Sequence, residues 1–512
     1  MARKHDFPFY IMAFEAQLAT SYEKLKEFTS GLIHIKKAKS AFEFKGFSSS
    51  KISLQMIEAM CYDGMNNTEQ AKKITEAALR EIILEKAGRE IPLKEVNIHD
   101  VKNLNSYNFI NIFTTGARIY WFSYQKTGNK SDLNIAENLF VLSAQMFQNY
   151  YLKEEFNSYI NYLHLKIVEG LLSVGALSRD PEKLKQMISL IEGNASQHLL
   201  KEFEKKLRIF NPERKERISR LARYNAEIEF YSEKSKEAKE KGESENRMLD
   251  LQQSRKVLLQ EIEDKEKNYM AFNSSSFEID EVLDLMKGDR QILKYYVADR
   301  YTFLLSLTKG KIAVYRLGEN ESLKKQVMDY VQDVKMIKPS YSGKATSLFD
   351  VLLKHQTKTK MIKITVVSLR FIIPDNFLNY VPFEALYNAR QKVFSGQENI
   401  ISYDYSLPLW LLRQQKKLIN FRHNLAVFSP AYGTGFGEKN RSKLKNLKYA
   451  KKEAEAISTL YKGNIYLDGA ATKEKFLDNL DQYKIFHLSM HSVLFEEDFN
   501  ESCLVFSDDQ RL

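Results

Sequence analysis

The stretch Tyr483–Leu512, YKIFHLSMHSVLFEEDFNESCLVFSDDQRL, decides how the second half of this chain is read. Its first part, Ile485–Met490, alternates and is rich in apolar residues, the pattern of a strand buried on at least one face. The strand runs directly into His491-Ser492 and then into an acidic, loop-like stretch, Phe495–Ser502. A second short apolar run, Cys503–Ser507, precedes Asp508-Asp509. Open α/β sheets place their chemistry at the carboxyl ends of strands, where the strand fixes the backbone and the loop leaves the side chain exposed. Taken by itself, a histidine at this point reads as a strand cap, and the case for chemistry has to come from the sequence around it.

Upstream, short strands alternate with helical patterns back to Ser276. Ile292–Ala298, Tyr301–Leu307 and Ile312–Arg316 read as a meander, with turns at Asp299-Arg300 and Lys309-Gly310. Asn320–Gln332 and Ser347–His355 read as helices, and Ile364–Ile373 as a buried strand that stops at Pro374-Asp375-Asn376. Proline fixes φ and an Asx side chain bonds the backbone just ahead, so this tripeptide is a turn with a mechanism. Leu425–Pro430 reads as a further buried strand.

Five segments of this half resemble, in family order, the signature blocks of CHAT domains, caspase-like peptidase domains usually found behind helical TPR-type repeats. Ile372–Leu386, IIPDNFLNYVPFEAL, is similar to "hhPDGxLxxhPFEAL". Ile400–Leu412, with Tyr403, Ser406 and Leu407, resembles "hSYxPSLxLL". Leu447–Tyr461, with Ala450, Glu453, Ala454 and Ile457, resembles "LPxAxxEAxxI". Asn464–Leu467 and Ala470–Leu480 fit "hhxGxxATxxxh", and His487–Ser492 is similar to "HLATHG".

The resemblance implies a mostly parallel sheet flanked by helices, with a Cys–His dyad at the strand ends. His491 would be the dyad histidine, accepting the thiol proton and later protonating the leaving amine. The next residue, glycine in the family, contributes a backbone N–H to the oxyanion hole; here it is Ser492, which keeps the donor but tolerates positive φ less well, so a reshaped loop is expected. Asp375 and Glu384 lie in the family's strongest block, where turn formation and a helix start explain them; a part in shaping a substrate pocket is the functional alternative. His487 is expected to pack beside the dyad histidine. The family's nucleophile belongs to a later block, "hxLSACxTG", that these residues do not contain. Cys503 falls where the family has no catalytic residue, and a buried, inert thiol is expected there. The chain therefore reads either as a fragment of a longer peptidase or as a truncated, inactive relative. No metal or organic cofactor is expected, because a thiol–imidazole pair needs none.

The first half has a different periodicity. From Phe7 to about Arg208 apolar residues recur three and four apart, proline is scarce and glycines fall at turns. Tyr107–Lys126 and Asp132–Gln148 form the clearest pair, broken at Thr127-Gly128-Asn129 with Ser131 as the expected cap; the pair looks like a TPR hairpin. Tyr10–Phe28, Ser50–Cys61, Thr68–Lys86 and Glu154–Ser173 supply further helices. Stacked hairpins bury their apolar faces against one another and leave a concave side for a protein partner. Pro212–Phe272 is dense in Glu, Lys and Arg with spaced Ile218, Leu221, Ile228, Met248, Leu251, Leu258 and Ile262, and Lys241-Gly242-Glu243 as a turn: two long antiparallel helices, a charged spacer. Asn273–Ser276 is a boundary. The expected fold is thus multidomain: TPR-like all-α repeats over 1–211, a helical spacer over 212–272 and an α/β caspase-like domain over 277–512, incomplete at its C-terminal end.

Composition bounds the function. A length of 512 residues exceeds one ordinary core. Phe7–Ala19 is apolar but contains Glu15 and Gln17 and is too short to span a bilayer, and no secretory signal pattern precedes it. Two cysteines, Cys61 and Cys503, give neither a disulfide framework nor metal-ligand spacing, which fits a reducing, cytoplasmic setting. The net charge of +11 is spread along the chain, with no arginine-rich block, so solvated helix faces account for it and nucleic acid is not expected as a direct ligand. The leading reading is a regulated cysteine endopeptidase of TPR-CHAT type, an architecture found mainly in bacteria, acting on a protein or peptide. The alternative is a catalytically inactive interaction scaffold lacking the nucleophile.

Overall fold

The computed structural model describes residues 7–41, 49–101, 104, 106–151, 158–178, 180–210, 251–258, 277–288, 290–354, 368–415, 421–432, 444–480, 482–493 and 503–507, with scattered positions between 216 and 261. Two compact units result, Met1–Gln414 and Gln415–Leu512. No described helix is long and apolar enough to cross a membrane.

The first unit opens with the helices α1 (Phe7–Lys24), α2 (Phe28–Ala41), α3 (Ser49–Gly64), α4 (Thr68–Ala87), α5 (Tyr107–Thr127), α6 (Lys130–Tyr151), α7 (Ser158–Gly175) and α8 (Pro181–Phe210). The α5–α6 hairpin turns where the sequence indicates: Gly128 takes φ 70°, and its N–H bonds Tyr124 C=O. Glycine adopts that left-handed backbone without a Cβ penalty. The cap of α6 differs from expectation, however. Asn129 rather than Ser131 does the work, its Oδ1 accepting from Ser131 N–H at 3.0 Å, while Ser131 sits within the first turn. Asp132, 3 % exposed, draws the hairpin onto its neighbour by accepting from Lys72 of α4 at 3.0 Å and from Ser123 of α5 at 2.5 Å. The region is compatible with TPR-like repeats. Of the charged spacer, Leu251 and Leu258 are buried; Ile218, Met248, Ile262, the Lys241–Glu243 turn and the Asn273–Ser276 boundary lie outside the described residues.

After the short helix α9 (Ile279–Asp284) comes the expected meander, β1 (Gln291–Val297), β2 (Tyr301–Thr308) and β3 (Lys311–Glu319). Helices α10 (Asn320–Lys335) and α11 (Tyr341–Leu352) lead to β4 (Ser368–Ile373), a small hairpin β5 (Tyr387–Asn388) and β6 (Val393–Phe394), a helical turn α12 (Ser395–Glu398), β7 (Asn399–Tyr403) and α13 (Leu407–Gln415). The sheet order is β3-β2-β1-β4-β7, antiparallel through the meander and parallel from β1 to β7.

Period-2 alternation explains why β1 is buried from Ile292 to Val297, with Lys294 the one charged residue among them. Ile292 and Tyr296 enter a core shared with α4–α8, whereas Leu293, Tyr295 and Val297 enter a second core with Leu323 and Val327 of α10 and Leu348 and Leu352 of α11. A strand covered on both faces needs apolar residues at both parities. Two buried carboxylates tie helices to this sheet. Glu169 of α7 accepts from the backbone N–H groups of Arg300 and Tyr301, and Glu192 of α8 accepts from Tyr296 Oη at 2.7 Å and Leu407 N–H at 3.2 Å.

The second unit contains β8 (His423–Ser429), α14 (Ala450–Tyr461), β9 (Asn464–Leu467), α15 (Lys473–Asp478) and β10 (Tyr483–Leu488), giving a parallel sheet of order β10-β8-β9. Leu425 and Val427 pack with Ala454 of α14, and Ala426 and Phe428 with Phe476 of α15, so β8 is again two-faced. A short antiparallel pair follows, β11 (Ser492–Val493) with β12 (Cys503–Leu504). The helical region followed by an α/β region is the architecture the sequence indicates.

Candidate active site

β10 pairs in parallel with β8 up to Leu488↔Phe428, and Ser489 N–H bonds Phe428 C=O at 2.9 Å as the chain leaves the sheet. Both strands then end on the same side. Tyr432 follows the carboxyl end of β8 and His491 the carboxyl end of β10, so their meeting is a consequence of parallel pairing. Their rings lie 4.9 Å apart at 58°. Tyr432, 5 % exposed, joins three segments: its Oη accepts from His491 N–H at 3.0 Å and donates to Val505 C=O at 2.9 Å, while its own N–H donates to Asn446 Oδ1. Burial pushes the Tyr432 phenol up, which keeps it in the protonated, donating form.

His491 Nε2 lies 2.8 Å from Lys445 C=O. A carbonyl can only accept, so Nε2 carries a hydrogen and the neutral ring has its lone pair at Nδ1. No described residue bonds Nδ1. Fixing one ring nitrogen with a backbone acceptor while the other faces the reacting group is the orientation a general-base histidine requires.

Ser492 is the first residue of β11 and is not among the residues with positive φ, so the expected reshaping of the loop by serine does not arise from a left-handed backbone. Val505 N–H bonds His491 C=O at 3.1 Å, which makes Ser492↔Leu504 a non-hydrogen-bonded pair and turns Ser492 N–H away from β12. Cys503, opposite Val493, is 9 % exposed in a small core with Tyr432 and Val505, and no hydrogen bond links its sulfur to His491. Cys61 is buried in the helical region, where burial first, then Glu23 and Glu58, pushes its thiol up to about 12.

His487, expected as a packed neighbour of His491, has partners of its own. His487 Nε2 meets Glu453 Oε1 and Ser489 Oγ, each at 3.1 Å. A serine–histidine–carboxylate relay uses both ring nitrogens; here serine and carboxylate meet the same one, so this trio is structural. The strand itself is less buried than its pattern suggests, with Ile485 54 % exposed on β10 at one edge of the described sheet.

Asp375 and Glu384 belong to the first unit. Asp375 Oδ2 accepts from Val297 N–H at 2.7 Å, tying the turn after β4 to the end of β1. Asn376 takes φ 48° where the CHAT pattern has glycine, a substitution asparagine tolerates better than most residues. Glu384 sits in a single 3₁₀ turn, not an α-helix start, and accepts from Tyr403 Oη, which in turn accepts from Phe383 N–H at 3.1 Å. Burial first and then this carboxylate hold the Tyr403 phenol well above its usual range.

Tyr432 and the Lys445 carbonyl were not singled out by sequence reasoning. Tyr432 had a signal, an aromatic residue just past the apolar run Leu425–Pro430; a backbone carbonyl has none. No curated protein matches the chain. Residues 343–512 match the family model described as CHAT domain, which describes a caspase-like, peptidase-related family.

Proposed function

We propose that this chain supplies the histidine of a cysteine-type endopeptidase acting on a protein or peptide. The observation that carries this reading is His491 at the carboxyl end of β10, held through Nε2 by Lys445 C=O with Nδ1 open. In this reading Nδ1 takes the proton from a cysteine thiol, and the thiolate attacks the scissile carbonyl. The imidazolium then protonates the departing amine, and water releases the acyl group by the reverse exchange. Ser492 N–H, free of β12, donates to the developing oxyanion. The helices of the first unit bind a protein partner or regulator.

The reading requires a cysteine that neither Cys61 nor Cys503 supplies, since both are buried and neither bonds His491. That same observation favours a second reading, an interaction scaffold without peptidase activity. Comparing protein N-termini in cell extracts containing the natural full-length protein or its His491→Ala form separates the two. Peptidase action creates new N-termini that fall by about 10²–10⁴-fold in the variant. Identical N-termini with both forms would favour the scaffold.

A further inference from the structure

A cleft of about 90 Å³ opens between α5 and α7 and the β1–β2 turn and β3 of the first unit. Its walls present Arg118 of α5, Lys166 of α7, Arg300 of the turn and Arg316 of β3. Arg300 is engaged, its Nε lying 3.4 Å from Glu169, whose carboxylate also holds the Arg300 and Tyr301 backbone N–H groups. No described carboxylate forms an ion pair with Arg118, Lys166 or Arg316. Each of these three rests on an aromatic ring instead: Arg118 over Phe122 at 5.8 Å, Lys166 over Tyr162 at 4.2 Å and Arg316 over Tyr301 at 4.8 Å. Stacking restrains the position of a guanidinium while leaving its N–H edge free to bind. Asp299 also lines the cleft and Glu23 acts on Arg118 and Lys166 from nearby, and these two carboxylates do not offset three cations.

From this arrangement we infer that the cleft is a binding site for the phosphoryl group of a small phosphate, held by Arg118, Lys166 and Arg316. A tetrahedral oxyanion matches the volume, and its several acceptor oxygens match forked guanidinium donors and a lysine converging from different elements. Lys166 is disfavoured as a cation in this cleft. Burial first, and then Arg118, lower its ammonium to about 8, with Lys24 adding to the effect and Asp299 and Glu23 opposing it. An anion between these cations would relieve that repulsion. Because the ligand would touch both helices and sheet, occupancy would brace the junction that Glu169 already spans.

The test is calorimetric titration of the full chain at low salt with inorganic phosphate and, separately, with AMP. Saturable one-to-one binding of either supports the site. Tighter binding of AMP identifies a phosphate monoester as the source, and equal or weaker binding identifies the free ion. Arg118→Gln and Arg316→Gln, with unchanged circular dichroism, should each weaken binding by about tenfold or more. Lys324→Gln removes the same charge from the exposed face of α10 and should leave affinity unchanged. Absence of saturable binding in the millimolar range overturns the site, as does equal weakening by Lys324→Gln, which would mark diffuse surface charge.

Discussion

At the scale of residues, the candidate active site depends on one phenol. Tyr432 Oη bonds both His491 N–H and Val505 C=O. Tyr432→Phe keeps the ring packing but leaves a partly buried donor and a buried acceptor without this partner. The expected loss is about 1–3 kcal/mol of stability in the second unit, measurable by denaturant titration, and unchanged stability would show that water replaces the hydroxyl at no cost. Lys166 gives a pH-dependent counterpart. Its amine sits near 8 in the folded chain against an ordinary 10.5, so the folded state disfavours the charged form. Below pH 8 the amine is charged in both states and the penalty is complete. Between about 8 and 10.5 the folded amine deprotonates first, so this group adds stability as pH rises. Competitive amine labelling should find one lysine titrating near 8, and Arg118→Gln should move it upward by removing a neighbouring positive charge. An Arg118→Gln protein with an unmoved Lys166 would contradict the assigned cause.

At the scale of elements, close approach sets what each helix pair tolerates. A Cβ at Gly170 of α7 would lie 2.1 Å from the ring of Phe140 of α6, which is fully buried. Gly170→Ala should therefore cost about 1–3 kcal/mol through overpacking, despite alanine's better helix propensity, and a thermal melt decides between the two effects. The elements themselves were largely legible. The meander announced itself by alternation and by Asp299-Arg300 and Lys309-Gly310, and the α5–α6 break by Gly128. Misjudged details have local causes. Ser131 and Asn129 are both good caps, and two residues of register separate them. Ile485 alternates as a buried strand residue does, but β10 lies at the edge of the described sheet, so one of its faces stays open. Glu169 and Glu192 stood in apolar helical runs, IVEGLL and SLIEGN, and that oddity was the available signal for their role as acceptors of sheet and turn donors.

For the whole molecule, family blocks made the CHAT region readable in advance, and residues 343–512 match it. What brings Tyr432 to His491 and Lys445 C=O to the imidazole was not readable, because both contacts are made by tertiary closure around β8 and β10 and one partner is main chain. The division of labour proposed here, helices for a partner and the α/β region for chemistry, rests on His491 being held in one tautomer. Nitrogen-15 NMR of the protein labelled at its nine histidines, with His491 assigned by loss of its signal in His491→Gln, tests that most directly. The predicted spectrum of the neutral ring shows hydrogen on Nε2 and a bare, pyridine-like Nδ1. A ring protonated at Nδ1, or one exchanging freely between tautomers, would contradict the assignment of His491 as an oriented base.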